Sequence, residues 1–150
     1  MKKILLTFLI AITATYSANN LKILNDVEDS GTVESSSGVD KEGYSNQYKL
    51  CLDNSGGITS EMRNCNADEL KFQDNLLNKY YKRAMKVLDG NKRKELKQVQ
   101  RQWIKYRDAK CGFDYGLTGG TMDIAIGDGC LVDMTAKRAN ELKSIVDMLE

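Results

Sequence analysis

Four cysteines and no histidine define the chemistry open to this chain of 150 residues. Without an imidazole the chain lacks the commonest general base and the commonest zinc ligand. The sequence therefore argues against a Ser-His-Asp or Cys-His hydrolase and against most zinc enzymes. No C-x-x-C pair is present, so we predict neither a metal site nor a catalytic thiol. The four are Cys51, Cys65, Cys111 and Cys130.

Carboxylates are the remaining candidates for catalysis, because a pair of Asp or Glu side chains can hydrolyse a glycosidic bond. The local clusters are Asp68-Glu69 and the acids Asp123 and Asp128 of a Gly-rich stretch. Nothing in the pattern marks these carboxylates as buried or as facing one another. We therefore expect a binding protein without enzymatic activity, metal or cofactor.

The first 17 residues are typical of a secretory signal peptide. Lys2 and Lys3 precede an apolar run over residues 4–14 that is too short to span a bilayer comfortably, and Thr15 and Ser17 fit the −3 and −1 positions of a cleavage site. We expect an exported protein, periplasmic or extracellular, without a transmembrane segment after cleavage; an uncleaved N-terminal anchor is the alternative. In an oxidising compartment, four cysteines predict two structural disulfides.

Residues 18–46 form a polar, acidic stretch whose few apolar residues have no period. Such a segment cannot bury enough surface to offset the entropy of ordering it. We predict a disordered acidic linker over 18–46 and a folded domain over 47–150.

Three long helical patterns follow, without an alternating strand pattern. The first runs from an N-cap at Thr59 to Asp89-Gly90, and the second from a cap at Asn91 along the stripe Leu96, Val99, Trp103 and Tyr106 towards Cys111. A short helical turn over residues 122–126, ended by Gly127-Asp128-Gly129, precedes a third helix from about Cys130. The predicted fold is all-α, a compact three-helix up-down arrangement.

Alternating helix directions place Cys65, Cys111 and Cys130 at one end of the bundle, with Cys51 just upstream. All three possible connectivities are within reach there. We favour the local pairs Cys51–Cys65 and Cys111–Cys130, since each closes a short loop that contains glycine and each is expected to stabilise the fold by about 3 kcal/mol.

The helices also carry a spaced motif that resembles the LprI-like lysozyme inhibitor family over residues 47–146. The specific part is Gln100-x-x-Trp103-x-x-x-Arg107-Asp108-x-x-Cys111; Leu77-Asn78-x-x-Tyr81, Thr135-x-x-Arg138-x-x-Glu141-Leu142, Cys65 and the Gly119-Gly120 loop accompany it. The resemblance implies a secreted or periplasmic helical domain with paired cysteines and, for the namesake of the family, binding and inhibition of lysozyme. It brings no catalytic residues.

The motif side chains have structural and interface interpretations. Trp103 is expected to anchor the core, with an exposed hot spot as the alternative. Arg107 and Asp108 are expected near the disulfides, with Arg107 bound to Glu141 or to an acid of the first helix; direct contact with a partner is the alternative. Arg138 and Glu141, spaced i,i+3, fit a helix-surface ion pair.

Charge is unevenly distributed although the whole chain has a net charge of +1. Residues 79–110, here called the basic hairpin, hold twelve basic and three acidic residues, a net charge of +9. The rest of the chain after the signal peptide has eight basic and eighteen acidic residues, or −10. We therefore expect a molecule with a basic end and an acidic end.

Two functions follow from this division. In the first, the acidic end meets a cationic lysozyme through residues 116–129, with Asp114, Asp123 and Asp128 as contacts. In the second, the basic hairpin holds an anionic envelope polymer or membrane surface through Arg93, Lys94 and Lys97; a simple solvated face is the alternative for these cations. Nucleic acid is not an expected partner, because an exported protein rarely meets it.

Overall fold

The structure, a computed structural model, describes residues 38–40 and 42–150. Within these residues the fold is all-helical, with α1 at Asn46–Asn54, α2 at Thr59–Val87, α3 at Gly90–Asp114 and α4 at Met122–Leu149. An isolated β-bridge joins Val39 to Ser45. The predicted signal peptide, 1–17, and most of the predicted linker, 18–37 and 41, lie outside the described residues.

The all-α class is as predicted, but the described part of the chain has four helices where three were expected. The additional helix is α1, which buries none of its nine residues. A helix without a buried face leaves no apolar period in the sequence, which is why the pattern missed it. Ser45 caps α1, because its hydroxyl accepts a hydrogen bond from the Tyr48 amide at 3.2 Å.

The predicted break at Gly127-Asp128-Gly129 is wrong, because α4 continues from Met122 through both glycines. Gly127 is buried, and a Cβ atom built on it would lie 2.6 Å from the Tyr115 ring. Glycine is therefore required at this position by the close approach of an aromatic ring and does not mark a helix end.

Two helix starts differ from the predicted caps. The residue in the N-cap position of α2 is Ile58, which has no side-chain oxygen, and Thr59 is the first helical residue. At α3 the cap is Asp89 and not Asn91, since the Asp89 carboxylate accepts hydrogen bonds from the amides of Asn91 and Lys92 at 2.8 and 2.9 Å. A carboxylate at a helix N-terminus also offsets the macrodipole there.

The three long helices alternate in direction. α2 and α4 run parallel, because Asn66 donates to the Ala125 carbonyl near one end while Arg83 pairs with Glu150 near the other. α3 runs antiparallel to α4, as the contacts Arg107–Thr135 and Gln100–Arg138 require. This up-down-up order agrees with the prediction.

The core lies mainly between α2 and α4. Small side chains such as Ala84 and Ala139 let these two helices approach closely, and Leu142 and Val146 fill the space beside them. α3 packs chiefly on α4 and adds Leu96 to this core. Removing these side chains from water is the main source of stability for the described fold.

The predicted apolar stripe of α3 is only half correct. Leu96 is buried and Trp103 is half-buried against the core, whereas Val99 and Tyr106 are largely exposed. Gln100 and Cys111 occupy the buried face in their place. Because polar residues occupy part of the buried face of α3, the periodicity of its apolar residues alone did not identify that face.

Two disulfides, Cys51–Cys65 and Cys111–Cys130, join α1 to α2 and α3 to α4. The pairing is the local one favoured on sequence grounds. Together these bonds lie at one end of the bundle, here called the disulfide end and defined as residues 50–70 and 111–136. Among the described residues, no helix has the length and apolar character needed to cross a membrane.

Candidate functional site

The motif on α3 occupies one face of the helix. Gln100, Trp103, Arg107 and Cys111 are spaced by three, four and four residues, so they lie above one another on successive turns. This is the face that packs on α4, through the Cys111–Cys130 disulfide at one end and Gln100 at the other. The motif therefore describes how α3 is attached to the rest of the domain.

Trp103 lies beside two guanidinium groups. The Arg107 guanidinium is 5.1 Å and that of Arg138 is 6.0 Å from the centre of the indole ring. Cation–π attraction of this kind is favourable where the groups are partly desolvated. With one side of the ring packed against the core, Trp103 links the α2–α4 core to the charged residues around it.

Arg107 binds residues from all three long helices. Its guanidinium lies 2.9 Å from Asp108 on α3, 3.3 Å from the Thr135 hydroxyl on α4 and 3.9 Å from Asp74 on α2. Burial raises the pKa of Asp74, an effect that Arg107 opposes and Asp108 reinforces. The expected acid of the first long helix is thus Asp74, and Glu141 is bound elsewhere.

Arg138 makes the second cross-helix link. Its Nε donates to Oε1 of buried Gln100 at 3.0 Å, and its Nη1 lies 2.7 Å from Glu141. The i,i+3 pair expected with Glu141 is present, but the Arg138 side chain is itself nearly buried. The Nε2 of Gln100 is buried without a hydrogen-bond partner in the described structure. Arg138 is consequently part of the interior of the domain.

The three acids expected to face a partner are all engaged within the chain. Asp123 is buried, Asp114 pairs with Lys110, and Asp128 binds both Arg63 at 2.8 Å and the Tyr115 hydroxyl. Their carboxylates hold the disulfide end together, and their charge still contributes to the field around it.

Asp123 organises the connection between α3 and α4. Its carboxylate accepts hydrogen bonds from the amides of Thr118 and Gly119, at 2.7 and 2.8 Å, and from the Thr118 hydroxyl at 2.8 Å. These donors lower the pKa of Asp123. Gly119 has a φ of 78°, which a residue with a side chain rarely adopts. The loop is thus closed by the disulfide and fixed by a buried acid.

Large apolar side chains are exposed around the same loop, a feature that the sequence analysis did not identify. They are 45–68% exposed, and we call them the apolar tip: Phe113, Leu117, Met122 and Ile126. The sequence contained an indication of this exposure, because none of these four residues belonged to a predicted apolar stripe of a helix.

Some cations of the basic hairpin point to solvent, whereas Arg107 is largely buried and Arg83, Lys92 and Lys110 form ion pairs. Arg93, Lys94 and Lys97 are exposed, and Lys94 and Lys97 continue a row with Arg101 and Lys105 at spacings of three, four and four residues. Such spacing aligns the cations on one face of α3. The row lies away from the buried motif face, so these side chains are free for an anionic partner or for solvent.

A second buried polar cluster, also missed in the sequence, fixes the segment before α1. The Glu69 carboxylate is almost completely buried and accepts hydrogen bonds from the amide and hydroxyl of Ser45 and from Gln73. The Tyr44 hydroxyl donates to Asp133 at 2.8 Å, and burial together with this carboxylate raises the pKa of Tyr44. Part of the predicted linker therefore has specific partners in the domain.

Two open grooves lie beside the start of α2. One, of about 340 Å³, is lined by residues that include Arg63, Asn66 and Asp128, and the other, of about 400 Å³, adjoins the Cys51–Cys65 disulfide. In the part of the chain that the structure describes, no group of three acidic, cysteine or histidine side chains is arranged to hold a metal ion.

Comparison with known proteins gives two matches. The model of the family described as lysozyme inhibitor LprI matches residues 51–142. An uncharacterized protein of Rhizobium meliloti (strain 1021) is 43% identical over 58 residues, which are 37% of this chain and 40% of the relative. The chain therefore matches less than half the length of that relative. No solved structure matches this chain.

Proposed function

Because this chain belongs to the family of lysozyme inhibitor LprI, we propose that it is an exported, non-enzymatic protein that binds a lysozyme-type muramidase and blocks its activity. The observation that carries the proposal is the family match over residues 51–142, which spans both disulfides and the whole α3 motif. Two disulfides also fit an oxidising compartment, periplasmic or extracellular.

The disulfide end is the surface best suited to a cationic enzyme. Within its bounds it holds eight acidic residues and one basic residue, Arg63, and the four lysines that directly border these bounds, Lys49, Lys71, Lys110 and Lys137, reduce the net charge of the region to −3. A negative field speeds the encounter with a positively charged protein, although it adds less to final affinity. The proposed contact is the segment 116–129, which consists of the loop before α4 and the first turns of α4 and is tied down by the Cys111–Cys130 disulfide and the hydrogen bonds of Asp123.

A turnover assay tests this function directly. The purified protein, with residues 1–17 removed, is added in increasing amounts to c-, g- and i-type lysozymes acting on suspended cell walls. We expect loss of turnover with one class at a near-stoichiometric ratio, and a matching Kd by calorimetry. Full turnover of all three classes at a large molar excess would reject the function.

The basic hairpin supports a second candidate, an envelope-binding module. The specific observation is the exposed row of cations on α3, together with Arg93 beside it. The helix macrodipole disfavours positive charge near the helix start, where Arg93 and Lys94 lie, so helix stability does not account for these two cations. Such a row suits an anionic polymer or an anionic membrane surface.

Retention on an anionic matrix distinguishes this candidate. We expect binding to heparin-substituted resin and to phosphatidylglycerol vesicles that weakens with salt and is abolished in the variant R93A/K94A/K97A. The matched control is K137A/K143A, which removes exposed cations from α4. Equal salt-dependent retention of both variants would contradict a dedicated site on the hairpin.

A further inference from the structure

We propose that four exposed cations of α3, here called the cation row, form a binding site for a linear polyanion. The row consists of Lys94, Lys97, Arg101 and Lys105. The inference rests on the second candidate function and names the class of its ligand, which is a flexible anionic chain and not a membrane surface.

The regular spacing of the cation row is the first argument. Its members follow one another by three, four and four residues, which places neighbouring cations on adjacent turns and spreads the row over about 17 Å of the helix axis. All four are exposed, and the exposed amide groups of Gln98 and Gln102 lie beside them. A chain with regularly spaced anions can lie along such a row, and each contact raises the local concentration of the next anion.

The second argument is that the charge of the cation row is not neutralised within the molecule. Among the described residues, no carboxylate forms an ion pair with any of the four cations. The two acids of α3 nearest the row are bound elsewhere, Glu95 to Lys92 and Asp108 to Arg107. Because like charges four residues apart on a helix repel each other, the row does not stabilise α3 by itself, and a bound polyanion removes this repulsion.

The polar character of this face favours a polymer over a membrane. The exposed large apolar residues of α3 are Val99, Tyr106 and Phe113, and the turn of the helix places them about 120–160° around its axis from Arg101. Ile104, at the border of the cation row, is half-buried. A helix that lies on a bilayer inserts apolar side chains beside its cations, whereas binding of a polyanion requires only the cations.

Calorimetry with long-chain inorganic polyphosphate tests the site, using the chain without residues 1–17. The row variant is K97Q/K105Q, and the matched control is K92Q/K110Q, which removes the same charge from the same helix but replaces two lysines that are paired with acids. Four contacts predict a slope of about −3 for the logarithm of the binding constant against the logarithm of the salt concentration. We expect the row variant to halve this slope and to weaken binding at least about tenfold at low salt, and the control to weaken it less than about threefold. Unchanged thermal unfolding shows that the variants fold, since glutamine has the helix propensity of lysine.

Three outcomes would overturn the inference. Equal losses in the row variant and the control would assign binding to the overall positive field of the basic hairpin. A wild type that binds free inorganic phosphate as tightly as polyphosphate would show that the four cations do not act as one surface. Binding to phosphatidylglycerol vesicles without binding to polyphosphate would leave the second candidate function standing, with a membrane as its ligand. A wild type that binds neither polyphosphate nor vesicles rejects that function together with the inference.

Discussion

Asp123 carries its charge inside the disulfide end, where three hydrogen bonds from Thr118 and Gly119 replace water. Arg138 has a similar position at the centre of the domain, between Gln100 and Trp103. Both residues were expected on sequence grounds at the surface, one as a partner contact and one as a helix-surface ion pair. Their internal bonds indicate that substituting them affects stability before it affects binding.

Replacing Asp123 by Asn is expected to loosen the loop, because the neutral amide oxygen accepts the Thr118 and Gly119 amide hydrogen bonds more weakly than the carboxylate does. Since the folded pKa of Asp123 lies below its ordinary value of 3.8, the ionised carboxylate stabilises the fold above about pH 4. That contribution is lost as the pH falls through the folded pKa. We expect the Tm of D123N to be several degrees below that of the wild type at pH 7, with the difference shrinking towards pH 3. A constant difference would contradict the role of the charge.

Removing Arg138 is expected to be costly because Gln100 then loses its remaining side-chain partner while buried. We expect R138A to lower the free energy of unfolding in urea by about 2–3 kcal/mol. The neighbouring variant K137A removes an exposed cation paired with Asp133 and should change the same quantity by less than about 0.5 kcal/mol. Similar losses in both variants would show that Arg138 has no special role.

At the scale of elements, α4 is the helix that the other elements share. α2 packs along it, α3 is bound to it by the motif face and a disulfide, and the segment before α1 reaches it through Tyr44 and Asp133. Its continuity through Gly127 and Gly129 is therefore essential to the arrangement.

The two glycines of α4 should respond oppositely to alanine. A Cβ on Gly127 meets the Tyr115 ring, so G127A is expected to lower the free energy of unfolding by about 1–3 kcal/mol. A Cβ on Gly129 approaches only Asn66, at 3.9 Å, so G129A should raise it by about 0.5–1 kcal/mol through better helix propensity. Chemical denaturation of both variants measures this contrast, and stabilisation by G127A would contradict the packing at Tyr115.

The two disulfides are expected to protect different helices from amide hydrogen exchange. Removing Cys111–Cys130 as the double alanine variant is expected to cost about 3 kcal/mol and to raise amide hydrogen exchange in α3, since α3 makes few contacts with α2. Removing Cys51–Cys65 in the same way should raise exchange mainly in α1. If α3 stays equally protected in both variants, side-chain packing alone holds it on α4.

The whole molecule separates its charge along its length. The basic hairpin has a net charge of +9, whereas the disulfide end holds eight acids and one cation. The α2–α3 turn, in the middle of the basic hairpin, lies one helix length from the disulfides, whereas the hairpin continues along α3 to Lys110, which pairs with Asp114 of the disulfide end. A near-neutral total charge thus coexists with an excess of cations around that turn.

The domain is expected to need residues before 47 for full stability. A chain that begins at residue 47 lacks Ser45 and Gly43, which bind the buried side chains of Glu69 and Gln73. We expect it to unfold with about 3 kcal/mol less free energy than a chain that begins at residue 38, measured in urea. The variant S45A in the longer chain is the control and should show a smaller loss. Equal stability of the two chains would place the boundary at 47, as the sequence analysis predicted.

The sequence by itself determined the helical class and the two long helices α2 and α3 to within a few residues, and it favoured the local disulfide pairs and the family resemblance that the structure and the comparisons then showed. These follow from short-range properties: the period of apolar residues, Asp and Gly at a helix boundary, and cysteines close along the chain. The same properties did not predict α1, because this helix has no buried face. They wrongly predicted a helix end at Gly127, because glycine often follows the last residue of a helix.

Only the tertiary structure decided which side chains of each helix are buried. Gln100 and Arg138 lie inside and Val99 and Tyr106 outside because α3 meets α4 through hydrogen bonds and a disulfide as well as through apolar packing. Asp128 is bound by Arg63, 65 residues away along the chain, whereas Asp123 and Asp114 are held by donors only four or five residues away. Burial depends on which neighbours a residue meets, and those neighbours come from distant parts of the sequence.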